Sequence, residues 1–276
     1  MQIGLTQELK IARETVHGFY LEDTSGHEVL LPGVYITEEL KVGNMIHVFL
    51  YKDSENRIVA TTESPAFELG EFAFLRVKEL GQFGAFIDWG LPKDLLVPFS
   101  EQNSVLQAGE SYTFCLCYDD KSDRLFGTAR INKQLEYNDV QLEAGQEVEV
   151  LIAGEHELGV SAIIAQRYSG LIFHSDIHKQ IKQGEKRKAF VKQVREDGKV
   201  DLLLEPMGYD KSVDEHSTSL LNALEANQGH LKLTDKSTPE SIKSVLGMSK
   251  KAFKKALGKL YKLGRVAIKE DEIRLK

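Results

Sequence analysis

The amino-acid sequence predicts a multidomain, mainly β protein in which three small five-stranded barrels precede a C-terminal α+β domain. Apolar residues change from alternating to helical spacing near residue 217. A pair of glycines 25 residues apart also recurs three times, as Gly18 and Gly43, Gly84 and Gly109, and Gly159 and Gly184. The units repeat every 66 or 75 residues, which is longer than the roughly 20 to 50 residues of solenoid repeats. Each unit should therefore fold around its own core.

The strands within each unit recur in the same order. A strand-like run closes 14 residues after the first glycine, at Pro32, Pro98 and Phe173. After the second glycine, apolar residues alternate at period two, as in Ile46 and Val48. Such a face has to be buried, and about five strands closing into a barrel of the OB type is the simplest solution.

Turn and charge signals predict the domain boundaries. The segment Glu63–Pro65 closes the first unit, because proline ends a β ladder. Short polar or charged linkers are expected at Gln134–Gly145 and Met207–His216. The predicted domains are residues 1–66, 67–136, 145–208 and 217–276.

The last domain has helix signals and then a hairpin. A first helix is expected from about Ser219, and a second should begin at Pro239 behind Thr238. Ser249 can cap a third helix that Gly264 ends. Two short apolar runs then flank a charged turn, as in a hairpin. Three helices and a hairpin predict a winged helix-turn-helix domain.

Charge is unevenly distributed along the chain. The net charge is −7, yet residues 217–276 hold 13 Lys and Arg against 6 Asp and Glu, leaving 22 against 36 in residues 1–216. A basic domain beside an acidic body indicates a polyanionic partner for the tail. Apolar runs are too short for a membrane span. The chain starts without the apolar core of a signal peptide, and Cys115 and Cys117 are poorly placed for a disulfide, so a reduced cytoplasmic setting is expected.

The second unit carries the motif Phe83-Gly84-Ala85-Phe86. Alternation places Phe83 at a turn and Phe86 on a strand. Exposed rings there would give nucleobases a stacking surface, worth about 1 to 3 kcal/mol per base. The alternative is that both rings belong to the core.

These residues resemble the S-one domain, the RNA-binding OB-fold repeat of the large ribosomal small-subunit protein. In that family, two aromatics, a histidine and an Asp four residues before an Arg form the RNA surface. The resemblance implies RNA contacts at Phe83, Phe86, Asp120, Arg124 and Arg130, although the histidine position falls on Pro98. Asp120 and Arg124 could instead form only a salt bridge across a turn.

The same pattern extends to the other two units, but some of its residues are replaced there. The first unit offers His17, Tyr20, Asp53 and Arg57. The third unit has Leu158 and Ser161 at the ring positions, with Arg195 and Lys199 replacing the Asp and Arg, so its consensus surface is lost. Its basic strand aligns Lys188, Phe190 and Lys192 on one face, which could bind phosphates or simply be solvated.

Six lysines recur at helical spacing on the third helix of the tail, opposite Phe253, Leu257 and Leu260; they are Lys250, Lys251, Lys254, Lys255, Lys259 and Lys262. Lysines contribute charge more than base discrimination. The hypotheses are nonspecific phosphate contact, a solubilising face, and sequence-specific reading of DNA.

No catalytic motif emerges. His174 and His178 could lie one helical turn apart, yet no third ligand accompanies them. A phosphate-binding glycine loop and a nucleophile elbow are also absent from the sequence. We therefore expect no catalytic residue, metal or cofactor.

Three S-one-like units followed by a winged helix resemble the conserved virulence factor B (YitL-like) family. That resemblance implies a cytoplasmic bacterial RNA-binding protein without catalytic activity, which acts on gene expression after transcription. Single-stranded RNA is the expected partner, with duplex nucleic acid as a possible partner of the winged helix. The alternatives are a winged-helix DNA-binding transcription regulator and a protein-interaction scaffold, and the oligomeric state is open.

Overall fold

The computed structural model describes residues 1–177, 180–206, 215–269 and 271–276. The chain divides into two compact parts, Met1–Met207, which holds the three repeated units, and Gly208–Lys276. Most of the predicted linker Met207–His216 lies outside the described residues, as does His178. The finer domain boundaries stay predictions.

The first barrel is closed. It comprises β1 (Thr6–Thr15), β2 (Gly18–Glu22), β3 (Glu28–Pro32), β4 (Met45–Lys52) and β5 (Ile58–Thr61), in the order β1-β2-β3-β5-β4. A parallel pair between Leu30 and Val59 joins β3 to β5. Alternate residues point inward, so Ile11, Leu21 and Leu31 form the core.

The middle unit is a five-stranded sheet. It differs from the predicted closed barrel in that, among the described residues, its two edge strands are not paired with each other. Its strands are β6 (Phe72–Gly81), β7 (Gly84–Ile87), β8 (Leu95–Pro98), β9 (Ser111–Asp119) and β10 (Arg124–Thr128), in the order β10-β9-β6-β7-β8. Within residues 1–177, no strand pairing joins β8 to β10. A Cβ at Gly127 would lie 3.0 Å from Val97 Cγ2 and 3.5 Å from Leu95 Cδ2. Apolar side chains of β8 therefore pack across the seam that a parallel pair closes in the first barrel.

The third unit is again a closed barrel. Its strands are β11 (Glu147–His156), β12 (Gly159–Ile164), β13 (Tyr168–Phe173), β14 (Lys186–Val194) and β15 (Val200–Leu203), in the order β11-β12-β13-β15-β14. Parallel pairing of Ile172 with Leu202 helps to join β13 to β15. The predicted mainly β fold class is thus confirmed.

The repeated glycines have two different physical roles. At Gly18 and Gly84, an added Cβ would lie 2.1 Å from a carbonyl oxygen of the neighbouring strand. The second glycines, Gly43, Gly109 and Gly184, have φ values of 95°, 89° and 83°. Such left-handed backbone favours glycine. The repeat therefore marks one close approach and one turn in each unit.

The first barrel and the middle sheet share a hydrophobic core around Trp89. Its ring packs edge-on against Phe49 and Phe67, with centroid distances of 5.7 and 6.4 Å. Lys93 Nζ donates to the carbonyl oxygens of Lys52 and Asp53, at 3.1 and 2.7 Å. These contacts hold the two units together.

The turn between β12 and β13 joins the third barrel to the middle sheet. The side chain of Gln166 accepts a 2.7 Å hydrogen bond from the Phe72 N–H and donates a 3.2 Å bond to the Phe72 carbonyl. Both Ala165 and Gln166 have positive φ, at 48° and 57°. The amide thus completes strand-like pairing at the cost of a strained turn.

Changing Gln166 to Ala should lower the free energy of unfolding by about 1 to 3 kcal/mol, because the Phe72 N–H and carbonyl would lose their partners. Gln166→Asn is the matched control. It suits the left-handed backbone better but is too short to reach Phe72, so it should also destabilise. Urea unfolding followed by circular dichroism measures both. A loss below about 0.5 kcal/mol in both variants would contradict this role of the amide.

The C-terminal unit is a winged helix, as the sequence predicts. It contains α1 (Glu215–Ala226), β16 (His230–Leu231), α2 (Pro239–Leu246), α3 (Lys250–Lys262), β17 (Val266–Ile268) and β18 (Ile273–Leu275). Its sheet has the order β16-β18-β17. The first helix begins four residues before the predicted Ser219. None of the described helices is long and apolar enough to cross a membrane.

The two caps predicted in this unit are present. The Thr238 hydroxyl accepts from the Ser241 N–H at 3.3 Å, and the Ser249 hydroxyl accepts from the Ala252 N–H at 3.2 Å. Capping satisfies a backbone donor that would otherwise lack an intrahelical partner. The start of α3, and so the orientation of its lysine face, is fixed locally.

Candidate nucleic-acid interface

The same outer-face positions recur at the β1–β2, β6–β7 and β11–β12 hairpins. The residues before the repeated glycine are His17, Phe83 and Leu158, whose carbonyls accept from the N–H groups of Gly33, Phe99 and His174 at 3.0, 3.2 and 3.1 Å. Two residues after that glycine come Tyr20, Phe86 and Ser161, which are all half-buried. The three units thus present equivalent positions with different side chains.

The rings of Phe83 and Phe86 lie outside the core. Phe83 is 69% exposed. Phe86 is half-buried, and an added Cβ at Gly81 would lie 2.6 Å from Phe86 Cε2, so that glycine makes room for the ring. A core position is therefore wrong for Phe83, and Phe86 keeps part of its surface in solvent.

A groove of about 680 Å³ brings both rings together with cations. Its lining includes Phe83, Phe86, Arg124 and Lys93 from the middle unit, and Lys52 from the first barrel. Among the described residues, the Arg124 guanidinium makes no hydrogen bond or ion pair. Burial, together with the nearby charge of Arg124, lowers the pKa of Lys93. An unpaired guanidinium in the same groove as two rings can contact a phosphate while bases stack on the rings.

Asp120 does not join this groove. Strand pairing places Asp119 opposite Arg124, because the middle turn has one residue more than the turn between Asp53 and Arg57. The Asp119 carboxylate accepts a 2.6 Å hydrogen bond from the Ser122 hydroxyl and also caps the turn. Asp120 lines a different groove. The spacing of four residues thus predicted the wrong residue, Asp120 instead of Asp119, for the position opposite Arg124 on the neighbouring strand.

Arg130 also lies apart from the groove lining. Its backbone N–H donates to the Thr128 hydroxyl at 3.0 Å, and its side chain is half-buried. The structure therefore does not bring Arg130 together with the aromatic pair. A role for it in RNA binding stays a prediction.

The Asp and Arg of the first unit form an ion pair. Arg57 Nη2 and Nε donate to Asp53 Oδ2 at 2.7 and 2.9 Å. Desolvation raises the pKa of Asp53, but hydrogen bonds from the backbone and side chain of Arg57 outweigh it and lower the pKa. A salt bridge across a turn, the alternative considered for Asp120 and Arg124, is thus found in the first unit between Asp53 and Arg57. Exposed pairs of this kind contribute little to stability.

The aromatic positions of the first unit differ from those of the middle one. His17 is exposed. One face of the Tyr20 ring is covered by Arg13, whose guanidinium carbon lies 3.8 Å from the ring centroid. None of the groove-lining residues is His17, Tyr20, Asp53 or Arg57. The first-unit positions therefore lie outside the groove.

The basic strand of the third unit is partly neutralised. Lys188 pairs with Glu147 at 2.5 Å, and Lys192 pairs with Asp176 at 3.2 Å. Phe190 lies between the two lysines and is half-buried. These ion pairs favour a solvated face over a phosphate-binding one, although Lys188 and Lys192 both stay exposed.

Two rings were missed by the sequence reasoning. Phe173 pairs with Gly159 as Pro98 pairs with Gly84, so it occupies the histidine position of the third unit. The Arg195 guanidinium carbon lies 5.5 Å from the Phe173 ring centroid. Phe99, next to Pro98, is largely exposed. Aligning the repeats one residue at a time at the strand ends would have found both.

Helix α3 presents its lysines on the face opposite its buried stripe. Lys251, Lys254 and Lys255 are exposed, and Lys250 is half-buried. Phe253, Leu257 and Leu260 are buried in the core of this unit. Lys251, Lys254 and Lys255 make no ion pair within residues 215–269 and 271–276. Their charges are therefore available to a polyanion.

No metal centre is seen in the part of the chain that the structure describes, since no group of three His, Cys, Asp or Glu residues is close enough to hold an ion. His174 lies in a short helical turn, and its proposed partner His178 is outside the described residues. Cys115 and Cys117 are free thiols.

Comparisons with known proteins match two parts of the chain to family models. The CvfB-like winged helix domain matches residues 218–275, and the S1 domain, the S-one family named above, matches residues 3–63. The S1 match thus falls on the first unit, although the residue-by-residue resemblance was strongest in the second. Neither model describes an enzyme domain.

Relatives match the chain over nearly its whole length. YitL of Bacillus subtilis, named as uncharacterized, is 28% identical over 96% of this chain and 91% of its own. Conserved virulence factor B of Staphylococcus saprophyticus is 26% identical, and that of Staphylococcus aureus USA300 is 27% identical, each over 99% of this chain and 94% of its own. A solved multidomain protein with nucleic acid binding domains from Streptococcus pneumoniae is 24% identical over 99% of this chain and 98% of its own, with a TM-score of 0.48.

Proposed function

Because the chain carries S1 and CvfB-like winged helix domains and resembles the conserved virulence factor B and YitL proteins along nearly its whole length, we propose that it binds single-stranded RNA. It does so without catalysing a reaction, in the bacterial cytoplasm, and it regulates gene expression after transcription. Both kinds of domain are nucleic-acid-binding modules.

One observation carries this proposal: the groove of the middle unit combines the rings of Phe83 and Phe86 with the unpaired Arg124. Unpaired bases can stack on aromatic rings whatever their sequence, and a cation beside the rings can follow the backbone. Paired bases of a duplex are already stacked on each other. The chemistry of the groove therefore favours single strands.

The winged helix carries positive charge of its own. Exposed lysines of α3 suit nonspecific contact with phosphates, because an ammonium group is a point charge that does not discriminate bases well. Several weak sites on one chain raise the effective concentration of one another for a long strand. Tight binding is therefore compatible with an acidic first barrel, whose residues 1–66 hold 5 Lys and Arg against 10 Asp and Glu.

A second candidate is a DNA-binding transcription regulator, favoured by the same free lysines on the helix that follows the turn of a winged helix. Filter binding of single-stranded RNA, single-stranded DNA and duplex DNA at about 50 and about 200 mM salt tests both candidates. The matched variant of the full chain is Lys251→Gln with Lys254→Gln and Lys255→Gln. It removes charge from α3 and leaves the barrels unchanged.

Our proposal expects a preference for single-stranded RNA that survives in the triple lysine variant, with lower affinity. Preference for duplex DNA that disappears in this variant would establish the second candidate instead. Failure to bind any strand would leave the scaffold hypothesis.

Changing Arg124 to Gln should weaken RNA binding by about tenfold, which corresponds to about 1.4 kcal/mol. The slope of log affinity against log salt should fall by about 0.7, as for one lost contact with a single-strand phosphate. Filter binding across a salt series measures both quantities.

Arg57→Gln is the matched control for Arg124, because Arg57 lies at the equivalent turn of the first barrel but is already held by Asp53. Its removal should change affinity and salt slope less. Equal losses in the two variants would contradict the assignment of Arg124 to the groove contact.

A further inference from the structure

A bulge in β1 aims Arg13 at the ring of Tyr20. Ile11 pairs with Leu21 and Arg13 pairs with Tyr20, which leaves Ala12 as the extra residue. Bulges bend a strand and redirect side chains. Here the result is a guanidinium carbon 3.8 Å from the centroid of the Tyr20 ring.

Glu28 of β3 fixes the plane of this guanidinium. Arg13 Nε donates to Glu28 Oε1 at 3.0 Å, and Nη2 donates to Oε2 at 2.7 Å. Two parallel hydrogen bonds of this kind define the orientation as well as the position of the group. The Arg13 side chain is still 49% exposed. One face lies on Tyr20 and one edge on Glu28, so solvent reaches the other face.

Of the three bulged hairpins, the one in the first barrel is where an arginine pairs with the residue at the second ring position. Each of the other two also has a bulge at the equivalent place, but Glu79 is the residue paired with Phe86, and Gly154 is paired with Ser161. A carboxylate cannot offer a cationic plane, and a glycine offers no side chain. The middle unit therefore presents bare rings, and the first presents a ring already covered by a cation.

We propose that a nucleobase of the bound RNA stacks on the outer face of the Arg13 guanidinium, with Tyr20 beneath as its support. Bases in single-stranded RNA stack on arginine planes as well as on aromatic rings. A guanidinium is planar and weakly hydrated, so it stacks at lower cost than an ammonium. This inference rests on the proposed function, and it assigns the first barrel a stacking residue outside the aromatic pattern.

The test uses the full chain and a single-stranded RNA of mixed sequence in which 2-aminopurine replaces one base at a time. Arg13→Lys keeps the charge and loses the plane. We expect it to weaken binding about fivefold to tenfold, toward the lower end of what one stacked base contributes. At one position of the RNA, binding to the wild type should change the 2-aminopurine emission, because the base leaves its neighbouring bases for the guanidinium, and this change should disappear with Arg13→Lys. Glu28→Gln, which loosens the guanidinium, should reduce the same change in emission.

The possible results separate the two hypotheses. Wild-type affinity and a wild-type change in 2-aminopurine emission in Arg13→Lys would overturn the stacking inference alone, because charge would then suffice. Tighter binding by Arg13→Ala would also overturn it, since Arg13 would then compete with a base for Tyr20. Absence of RNA binding by the wild type would instead overturn the proposed function. Thermal unfolding of each variant confirms that the barrel is folded, and Glu28→Gln decides the question if the Arg13 variants are not.

Discussion

Changing Phe83 and Phe86 together to Ala is expected to lower the affinity for single-stranded RNA by about 30-fold or more. One stacked base contributes about 1 to 3 kcal/mol, so two rings account for at least about 2 kcal/mol, which is about 30-fold in affinity. Phe83 is mostly exposed and Phe86 keeps part of its surface in solvent. Filter binding at one fixed salt concentration measures the loss.

Val34 and Val105 supply the control for this double variant. They are 83% and 84% exposed, so changing both to Ala removes apolar surface without removing a ring. RNA affinity should then stay close to that of the wild type. Circular dichroism has to show that both double variants are folded. An affinity of the Phe83 and Phe86 variant within about threefold of the wild type would contradict the stacking surface.

Changing Trp89 to Ala is expected to lower the free energy of unfolding by about 3 to 5 kcal/mol, as for other buried large aromatics. Trp89 is 3% exposed and packs against Phe49 and Phe67. Its Nε1–H also donates to the Lys93 carbonyl at 2.6 Å. Because the shared core joins the first barrel to the middle unit, the groove between them should be disturbed as well. Urea unfolding measures the stability and filter binding the affinity.

Trp89→Phe separates packing from the hydrogen bond. It keeps an apolar ring and removes the donor to the Lys93 carbonyl, so the expected loss is smaller, about 1 to 2 kcal/mol. A loss below about 1 kcal/mol in Trp89→Ala would show that the two units do not depend on a common core.

Features of the fold that depend on local backbone geometry were predictable. The repeated glycines stand where a Cβ would strike a neighbouring carbonyl or where φ is positive. Thr238 and Ser249 cap the helices that their positions predicted. The missing strand pairing between β8 and β10 was not predictable in this way, because the apolar contact found there joins Gly127 to Val97, 30 residues earlier in the chain.

In the candidate site, too, local features were predictable and contacts between strands were not. Phe83 and Phe86 could be placed at a turn and on a strand from one short motif. Asp120 was misaligned with Arg124 because one added turn residue shifts the register. Arg13 was missed because it lies on β1 and Tyr20 lies on β2. A bulge in β1 brings the guanidinium to the ring. Spacing within one strand carries no information about such contacts.

Fluorescence of Phe83→Trp tests the central claim most directly. The chain has one tryptophan, Trp89, which is buried, so the wild type provides the background signal. The account predicts that single-stranded RNA quenches the new exposed indole along a saturating curve with the dissociation constant found by filter binding. Tight filter binding with unchanged emission from the indole would contradict it.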